Sequence, residues 1–353
     1  MTHRLPRASA PLSVIALVIA LTACAGPAAP GASGTPASNA PSALSTGSSD
    51  GDQEVASTLE IPITVTSASG DPRLTTQITL AGGSSVTVLV DTGSTGLIIE
   101  QSAVGADAVP TGKTLTQSYT SGSVDAGLST GVLTIAGAQT AADFEFGVIP
   151  DGSATSSLGG TQGILGIEPD ALESAEGHLA SPLMALPSPL DQGMTVDVPS
   201  SGSGTITLGE PTPAAGAVTA DLLDFSPSST TADGVTLYRT ALTMCWTIAE
   251  LAQTCGPTVL DSGAPRTAFN SSSVSGPQTG SDGVLSPGQS ISVTDAAGDP
   301  ALWSFTTGTT KGVDMAVIES LGSGTDYNSG VGLYFTHVVA FDWVKGTVSF
   351  TPQ

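Results

Sequence analysis

The sequence predicts an all-β protein of two similar lobes that face each other across a cleft, with minor helix. Three observations carry this. Short runs rich in Val, Thr and Ile, bounded by glycine or proline, recur along the chain, which holds 43 Gly and 24 Pro in 353 residues; strands and tight turns have that composition. Helical periodicity is confined to two stretches. One local plan, an apolar strand followed by Asp-Thr/Ser-Gly, occurs twice, at Asp91 and Asp261.

The first residues stand apart from the fold. MTHRLPR is basic, PLSVIALVIAL is apolar, and LTAC, Leu21 to Cys24, closes the segment with small residues and a cysteine. Residues 1–23 thus have the layout of an export signal, and the apolar run is too short for a comfortable membrane span. The ending resembles the lipobox of bacterial lipoproteins. That implies cleavage before Cys24 and lipid on its sulfur and amine, so the protein is expected to be exported and lipid-anchored at the cell envelope. Residues 24–56 are Ala, Pro, Ser and Gly without apolar periodicity, a tether that cannot bury enough surface to fold.

Charge and cysteines narrow the partners. The net charge is −23, and it deepens by two when Arg4 and Arg7 leave with the signal. Such a surface repels nucleic acid and anionic lipid, so membrane attachment rests on the N-terminal lipid. A monomer is expected. Of three cysteines, Cys24 takes the lipid and Cys245 and Cys255 can pair, since exported proteins meet oxidising surroundings. A bridge across so short a loop contributes ~2–3 kcal/mol.

From residue 57 the pattern is β. LEIPITVT alternates; TTQITLAGGSSVTVLVDTGSTGLII reads strand, turn, strand, turn, strand; GVLTIAG and GTITLGEP are further strands. In the second half VTLYRTALTMCWTIA, PTVLDSGAPRTAF and VVAFDWVKGTVSF continue the pattern, the last as two strands around a Lys-Gly turn. EPDALESAEGHL and PLMALPSPLDQG read as helical. The repeated plan divides the fold into lobes at 57–210 and 211–353. Each aspartate is followed by an apolar segment with glycine, GILGI (Gly163 to Ile167) in the first lobe and GVGLYF (Gly330 to Phe335) in the second.

Paired carboxylates carry a definite chemistry. Two that share a site cannot both ionise easily, so one keeps a proton while the other acts as base. The ionised member takes a proton from water, and the protonated member assists a peptide carbonyl as the tetrahedral diol forms. The glycines after them, Gly93 and Gly263, let backbone pass close and offer N–H groups. The hydroxyls of Thr92 and Ser262 can bond across to the opposite lobe. This chemistry needs neither metal nor cofactor.

On Asp91-Thr92-Gly93-Ser94, Asp261-Ser262-Gly263 and the segments ending at Gly166 and Gly332, the chain resembles the pepsin-like aspartic peptidases from about Thr75 to Phe350. More narrowly it resembles a bacterial lipoprotein branch of that superfamily. FDWVKGTVSF looks like the family's closing strands, and QSYTSGSVDAGLSTGVLTIAG like its flap hairpin. The resemblance implies a two-lobed β fold, hydrolysis of peptide or protein substrates, Asp91 and Asp261 as the catalytic dyad, and Tyr119 as the flap tyrosine. Cys245 and Cys255 lie where the family often has a disulfide.

The chain departs from that pattern after the second motif. Ser94 fits the family's hydroxyl to the outer carboxylate oxygen, but Ala264 cannot make that bond. A lost bond to a charged group is worth ~1.5–3 kcal/mol, so the dyad is expected to hold its proton more tightly and to work closer to neutral pH. Pro265 and Arg266 stand where the family prefers a hydroxyl and an apolar residue, and are expected to distort the loop. The alternative reading they favour is a silent relative that binds a peptide or envelope polymer in the cleft. A purely structural envelope lipoprotein comes third.

Other motifs lead nowhere. A single Asp-Thr-Gly is an ordinary strand-ending turn; the pair is what decides. GLSTG matches G-x-S-x-G, but no helix is expected after Ser129, so the nucleophile-elbow context is missing. His178 and His337 are isolated, which argues against a Ser-His-Asp triad or a zinc site. No phosphate-cradling loop occurs. Asp170, Glu173 and Glu176 read as a solvated helix face.

Overall fold

The computed structural model describes residues 56–353 apart from 69, 120–121, 154–157, 159, 170, 174–177, 222–226, 231–235, 239–241, 275, 277–278, 297, 299 and 322–323. The expected signal, Cys24 and nearly all of the tether lie outside the described residues, as do Asp170 and Glu176. The described residues belong to one compact unit, Gln53–Gln353.

The first strands are β1 (Leu59–Ala68), β2 (Asp71–Leu80), β3 (Val86–Asp91), β4 (Thr95–Glu100), β5 (Val109–Tyr119) and β6 (Gly122–Thr130). In β1, Ile61 and Ile63 are buried while Glu60, Pro62 and Thr64 are exposed, the alternation of a strand with one wet face. β3 is buried nearly throughout because it is covered on both sides. Val88 and Val90 point into the main core, and Leu89 into a second cluster with Ile98, Leu115, Leu128, Ile164 and Leu179. A strand sandwiched in this way reads as an unbroken apolar run, which is why Asp91 follows one.

These strands form one large sheet. Its path runs Val218–Asp221, Thr347–Pro352, His337–Asp342, Gly193–Asp197, Gly202–Leu208, then β1, β2, β3, Gly163–Ile167, β4, Glu145–Ile149, β6 and β5. Of the chain's last two strands, His337–Asp342 pairs with Gly193–Asp197, and Thr347–Pro352 pairs with His337–Asp342 and Val218–Asp221. A seven-stranded sheet makes the second lobe, in the order Ala301–Thr306, Ser290–Asp295, Leu242–Ile248, Thr254–Val259, Tyr327–Asn328, Thr267–Asn270, Ala316–Glu319. Its core centres on Trp246, stacked on Tyr327 and edge-on to Phe269 and Trp303. The Cys245–Cys255 disulfide joins residues directly opposite each other on Leu242–Ile248 and Thr254–Val259.

The two lobes repeat one pairing scheme. β3 runs parallel to Gly163–Ile167, with Asp91 opposite Gly166, and Gly166 also lies opposite Gly96 on β4. In the second lobe Thr258 and Val259 run parallel to Tyr327 and Asn328, while Ala268 lies opposite Asn328 on the antiparallel side. Continuing both registers by two residues sets Gly330 against Asp261 and Arg266. Gly330, not Gly332, is thus the counterpart of Gly166. Space confirms it: a Cβ on Gly166 would strike Ser94 and Gly96 backbone, and one on Gly330 would strike Arg266 and Thr267 backbone.

Helix is the main departure from expectation. EPDALESAEGHL contains a hairpin, Ala171–Glu173 paired with His178–Ala180. Leu179, fully buried against Gly96 in the second cluster, gains more from that packing than a short isolated helix would return. PLMALPSPLDQG contributes one 3-10 turn, Pro182–Ala185, and Val331–Phe335 is another rather than the end of a strand.

Candidate active site

Asp91 ends β3, and Asp261 lies just past Thr254–Val259. Both strands are interior to their sheets, so each carboxyl stands on a rigid support. The two face one another. A Cβ on Gly93 would lie 2.6 Å from Cγ of Asp261, and a Cβ on Gly263 would lie 2.6 Å from Cγ of Asp91. Each glycine therefore packs against the opposite lobe's carboxyl, at positions only glycine can occupy.

The loops beneath are tied crosswise. Thr92 N–H donates to Oγ of Ser262 at 3.1 Å, and Ser262 N–H donates to Oγ1 of Thr92 at 2.9 Å. Each hydroxyl then donates into the other lobe, Thr92 to the Leu260 carbonyl at 2.6 Å and Ser262 to the Val90 carbonyl at 2.9 Å. The buried Tyr334 hydroxyl joins this knot, 2.8 Å from Oγ1 of Thr92 and donating to the Leu260 carbonyl at 3.0 Å. Burial pushes the Tyr334 hydroxyl well up, so it stays neutral and keeps its proton to donate.

Each carboxyl is held by its own donors. Oδ1 of Asp91 accepts from Gly93 N–H at 2.9 Å and Oδ2 from the Ser94 hydroxyl at 2.7 Å. Oδ1 of Asp261 accepts from the N–H groups of Gly263 at 2.7 Å and Ala264 at 3.0 Å. The bond that Ala264 cannot make to Oδ2 is supplied from elsewhere, by the Asn328 side-chain amide at 2.6 Å. Asn328 is oriented for this because its Oδ1 accepts Gly330 N–H at 2.9 Å, leaving the NH2 group turned to Asp261. Ser329 Oγ accepts the backbone N–H of Asp261 at 3.0 Å.

The expectation of a missing donor is therefore corrected, and with it the reason to expect a dyad working nearer neutral pH. The expected distortion at Pro265 and Arg266 is not seen either. Ala264 still donates to Asp261, its carbonyl accepts Val331 N–H at 2.8 Å, and Arg266 turns outward to Glu319 at 3.4 Å.

The carboxyl of Asp91 is held well above the usual carboxylate range. Burial is the first cause, the negative charge of Asp261 the second, and a hydrogen bond between the two carboxyls adds to both. The bonds from Ser94 and Gly93 pull the other way and do not prevail. Close carboxyls of this kind hold a proton as a pair, and it belongs to neither one alone. Tyr119 ends β5, opposite Gly122 across the hairpin. Burial, then the charge of Asp91, push its hydroxyl up, which sets it in reach of the dyad's field.

The remaining candidates stay outside the site. Ser129 is buried within β6, paired with Phe146, and no helix follows it. His337 is nearly buried and bonded to Thr336 at 2.9 Å. Among the described residues no three His, Cys, Asp or Glu side chains gather as metal ligands would. Sequence reasoning missed Asn328, Ser329 and Tyr334. Asn328-Ser329-Gly330 lacks the apolar-apolar-glycine pattern because polar side chains fill the places that Ile164 and Leu165 occupy in the first lobe.

Two lobes repeating one pairing scheme, with an aspartate from each meeting across a cleft, define a pepsin-like fold. The crystal structure of an aspartic proteinase from Irpex lacteus matches it with a TM-score of 0.59 at 14% identity, over 84% of this chain and 97% of that one. The chain belongs to the family described as the PE-PGRS C-terminal aspartyl peptidase-like domain, whose model matches residues 59–348. No curated protein matches it.

Proposed function

We propose that this protein is an aspartic endopeptidase that cuts peptide bonds with a water held between Asp91 and Asp261. The observation that carries this is the mutual facing of the two carboxyls, each with donors to both its oxygens. The ionised carboxylate takes a proton from the water, whose oxygen attacks the peptide carbonyl carbon. The proton held by the pair passes from the protonated carboxyl to the carbonyl oxygen, giving a tetrahedral diol. Collapse of the diol returns a proton to the leaving nitrogen, breaks the C–N bond and restores the pair. Tyr119, on the β5–β6 hairpin, acts as a flap residue closing over the substrate and keeping water out.

The site of action is the cell envelope, with export by residues 1–23 and a lipid on Cys24. The signal layout and lipobox-like ending support this, and the Cys245–Cys255 disulfide is compatible with export. Incorporation of labelled fatty acid that is lost in Cys24→Ser tests the anchor.

The activity is tested by incubating purified protein with a denatured protein at acid pH. Cleavage that disappears in Asp91→Asn and with a statine-type inhibitor supports the proposal. Binding of the same peptides without turnover, unchanged in Asp91→Asn, would instead identify a silent binding module.

A further inference from the structure

Most of the described cations are neutralised. Lys113 faces Glu145, Arg266 faces Glu319, Lys311 faces Asp71, and Lys345 lies between Glu210 and Asp342. Arg73 is the described cation with no carboxylate in ion-pairing distance. In a chain of 31 acidic and 8 basic residues, an acidic partner would be easy to supply, and none is placed there.

Its position is specific. Thr75 lies opposite Leu89 in the β2–β3 pairing, and continuing that register by two residues sets Arg73 opposite Asp91. Directly opposed residues on adjacent strands share a face, so Arg73 stands on the face that carries the Asp91 carboxyl. Nη1 of Arg73 reaches across to the second lobe and donates to the Gly263 carbonyl at 3.2 Å. Gly263 is the residue that packs against Asp91. The Nε–H is buried and has no partner.

A guanidinium has five N–H donors in a planar fork. Here Nη1 holds one neutral carbonyl, the side chain is only half-buried, and no carboxylate balances its charge, so an anion arriving at its open side would complete the pairing. The start of β2 is also fixed. Asp71 pairs with Lys311 at 2.7 Å, and Pro72 packs so closely on Gly312 that no Cβ would fit there. Arg73 is thereby held at the lobe junction before any substrate arrives, and little ordering cost remains at binding.

We propose that Arg73 forms a subsite for a carboxylate side chain of the peptide substrate, so that the cleft selects Asp or Glu close to the bond that is cut. This rests on the endopeptidase reading. The acidic surface repels acidic peptides in general, so the preference is positional: one carboxylate at one place in the bound peptide, with neutral residues around it.

The test uses matched peptides in which Glu or Gln is moved through three positions on each side of the scissile bond. At one position the wild-type kcat/KM is expected to favour Glu over Gln by about tenfold or more. Arg73→Gln loses that preference, the loss falling on the Glu peptide, and Arg73→Lys keeps part of it. A wild type that treats Glu and Gln alike at all six positions overturns the proposal, whatever the variants do. So does an Arg73→Gln that loses both peptides equally, which marks Arg73 as a strut to Gly263. If the wild type cleaves no peptide, the endopeptidase reading fails, and calorimetric binding of the same pairs decides for Arg73. Tighter Glu binding in wild type alone supports the subsite; equal or absent binding overturns it.

Discussion

The side-chain amide of Asn328 donates to Oδ2 of Asp261 at 2.6 Å, in the place where Ser94 donates to Oδ2 of Asp91 at 2.7 Å. Two different residues, from non-equivalent points of the chain, thus perform one task in the two lobes. Hydrogen bonds to a carboxylate favour its ionised form, and one to a charged group is worth ~1.5–3 kcal/mol.

Asn328→Ala is therefore expected to lower kcat/KM by roughly 10- to 100-fold and to move the acid limb of the pH–rate profile upward. Ala264→Ser alone does little, because Oδ2 is already served. In the Asn328→Ala background it restores the donor and returns the limb toward its original position. An Asn328→Ala enzyme with wild-type rate and an unmoved limb would remove Asn328 from the dyad's support.

The raised proton affinity of Asp91 gives a stability prediction with a definite sign. The folded protein binds this proton more tightly than the unfolded chain does, because of burial and the charge of Asp261. Stability from this group is fully present below the ordinary carboxylate range. It declines as pH rises from that range through the raised folded-state value. Asp91→Asn removes the burden of ionising there. The variant should match the wild-type melting temperature near pH 3 and exceed it near pH 7, by about 2–4 °C for each kcal/mol relieved. It should also be inactive at both. Equal melting temperatures across that span would show that the carboxyl is not buried against a charged partner.

Much of this architecture can be read from residue order, and the unread part has a common cause. β3 is legible because a strand covered on both faces becomes an apolar run, and an aspartate ending such a run stands out. Thr254–Val259 is part exposed, and it is the repeat of Asp-Ser-Gly just beyond it that makes Asp261 legible. Thr92 and Ser262 follow from their motifs. Asn328 and Arg73 do not, because each acts through a register fixed by distant pairing: Tyr327 with Thr258, and Thr75 with Leu89. EPDALESAEGHL misled for a related reason. Its local helical pattern yields to the burial of Leu179 against Gly96, a contact set by the sheet rather than by neighbours in sequence.

Thr92 concentrates the lobe-to-lobe ties in one hydroxyl, which accepts from Ser262 N–H, donates to the Leu260 carbonyl and touches the Tyr334 hydroxyl. Thr92→Ala strands a buried N–H and should cost about 2–3 kcal/mol in denaturant unfolding. Thr92→Ser keeps the hydroxyl and should lose under about 1 kcal/mol. Tyr334→Phe should cost about 1 kcal/mol, since the Leu260 carbonyl retains Thr92. If Thr92→Ser proved as damaging as Thr92→Ala, packing of the methyl group, not the hydroxyl knot, would be what joins the loops.

Gly263 gives the sharpest steric test of the facing carboxyls. A methyl group added there would sit 2.6 Å from both Cγ and Oδ1 of Asp91, inside any tolerable contact, and Asp91 is buried and bonded on both oxygens, so it has little room to yield. Gly263→Ala should therefore abolish turnover and displace the dyad, at a stability cost of about 1–3 kcal/mol from overpacking. Gly127→Ala is the comparison: its added carbon meets only the Val148 carbonyl, at 4.0 Å, and the protein should fold with an unaltered melting temperature. Gly93→Ala should repeat the Gly263 result from the opposite lobe, because its methyl would strike Cγ of Asp261 at the same 2.6 Å. Should Gly263→Ala turn over substrate normally while Gly93→Ala does not, the two glycines would not pack reciprocally on the opposite carboxyls, and the facing of Asp91 and Asp261 would be overturned.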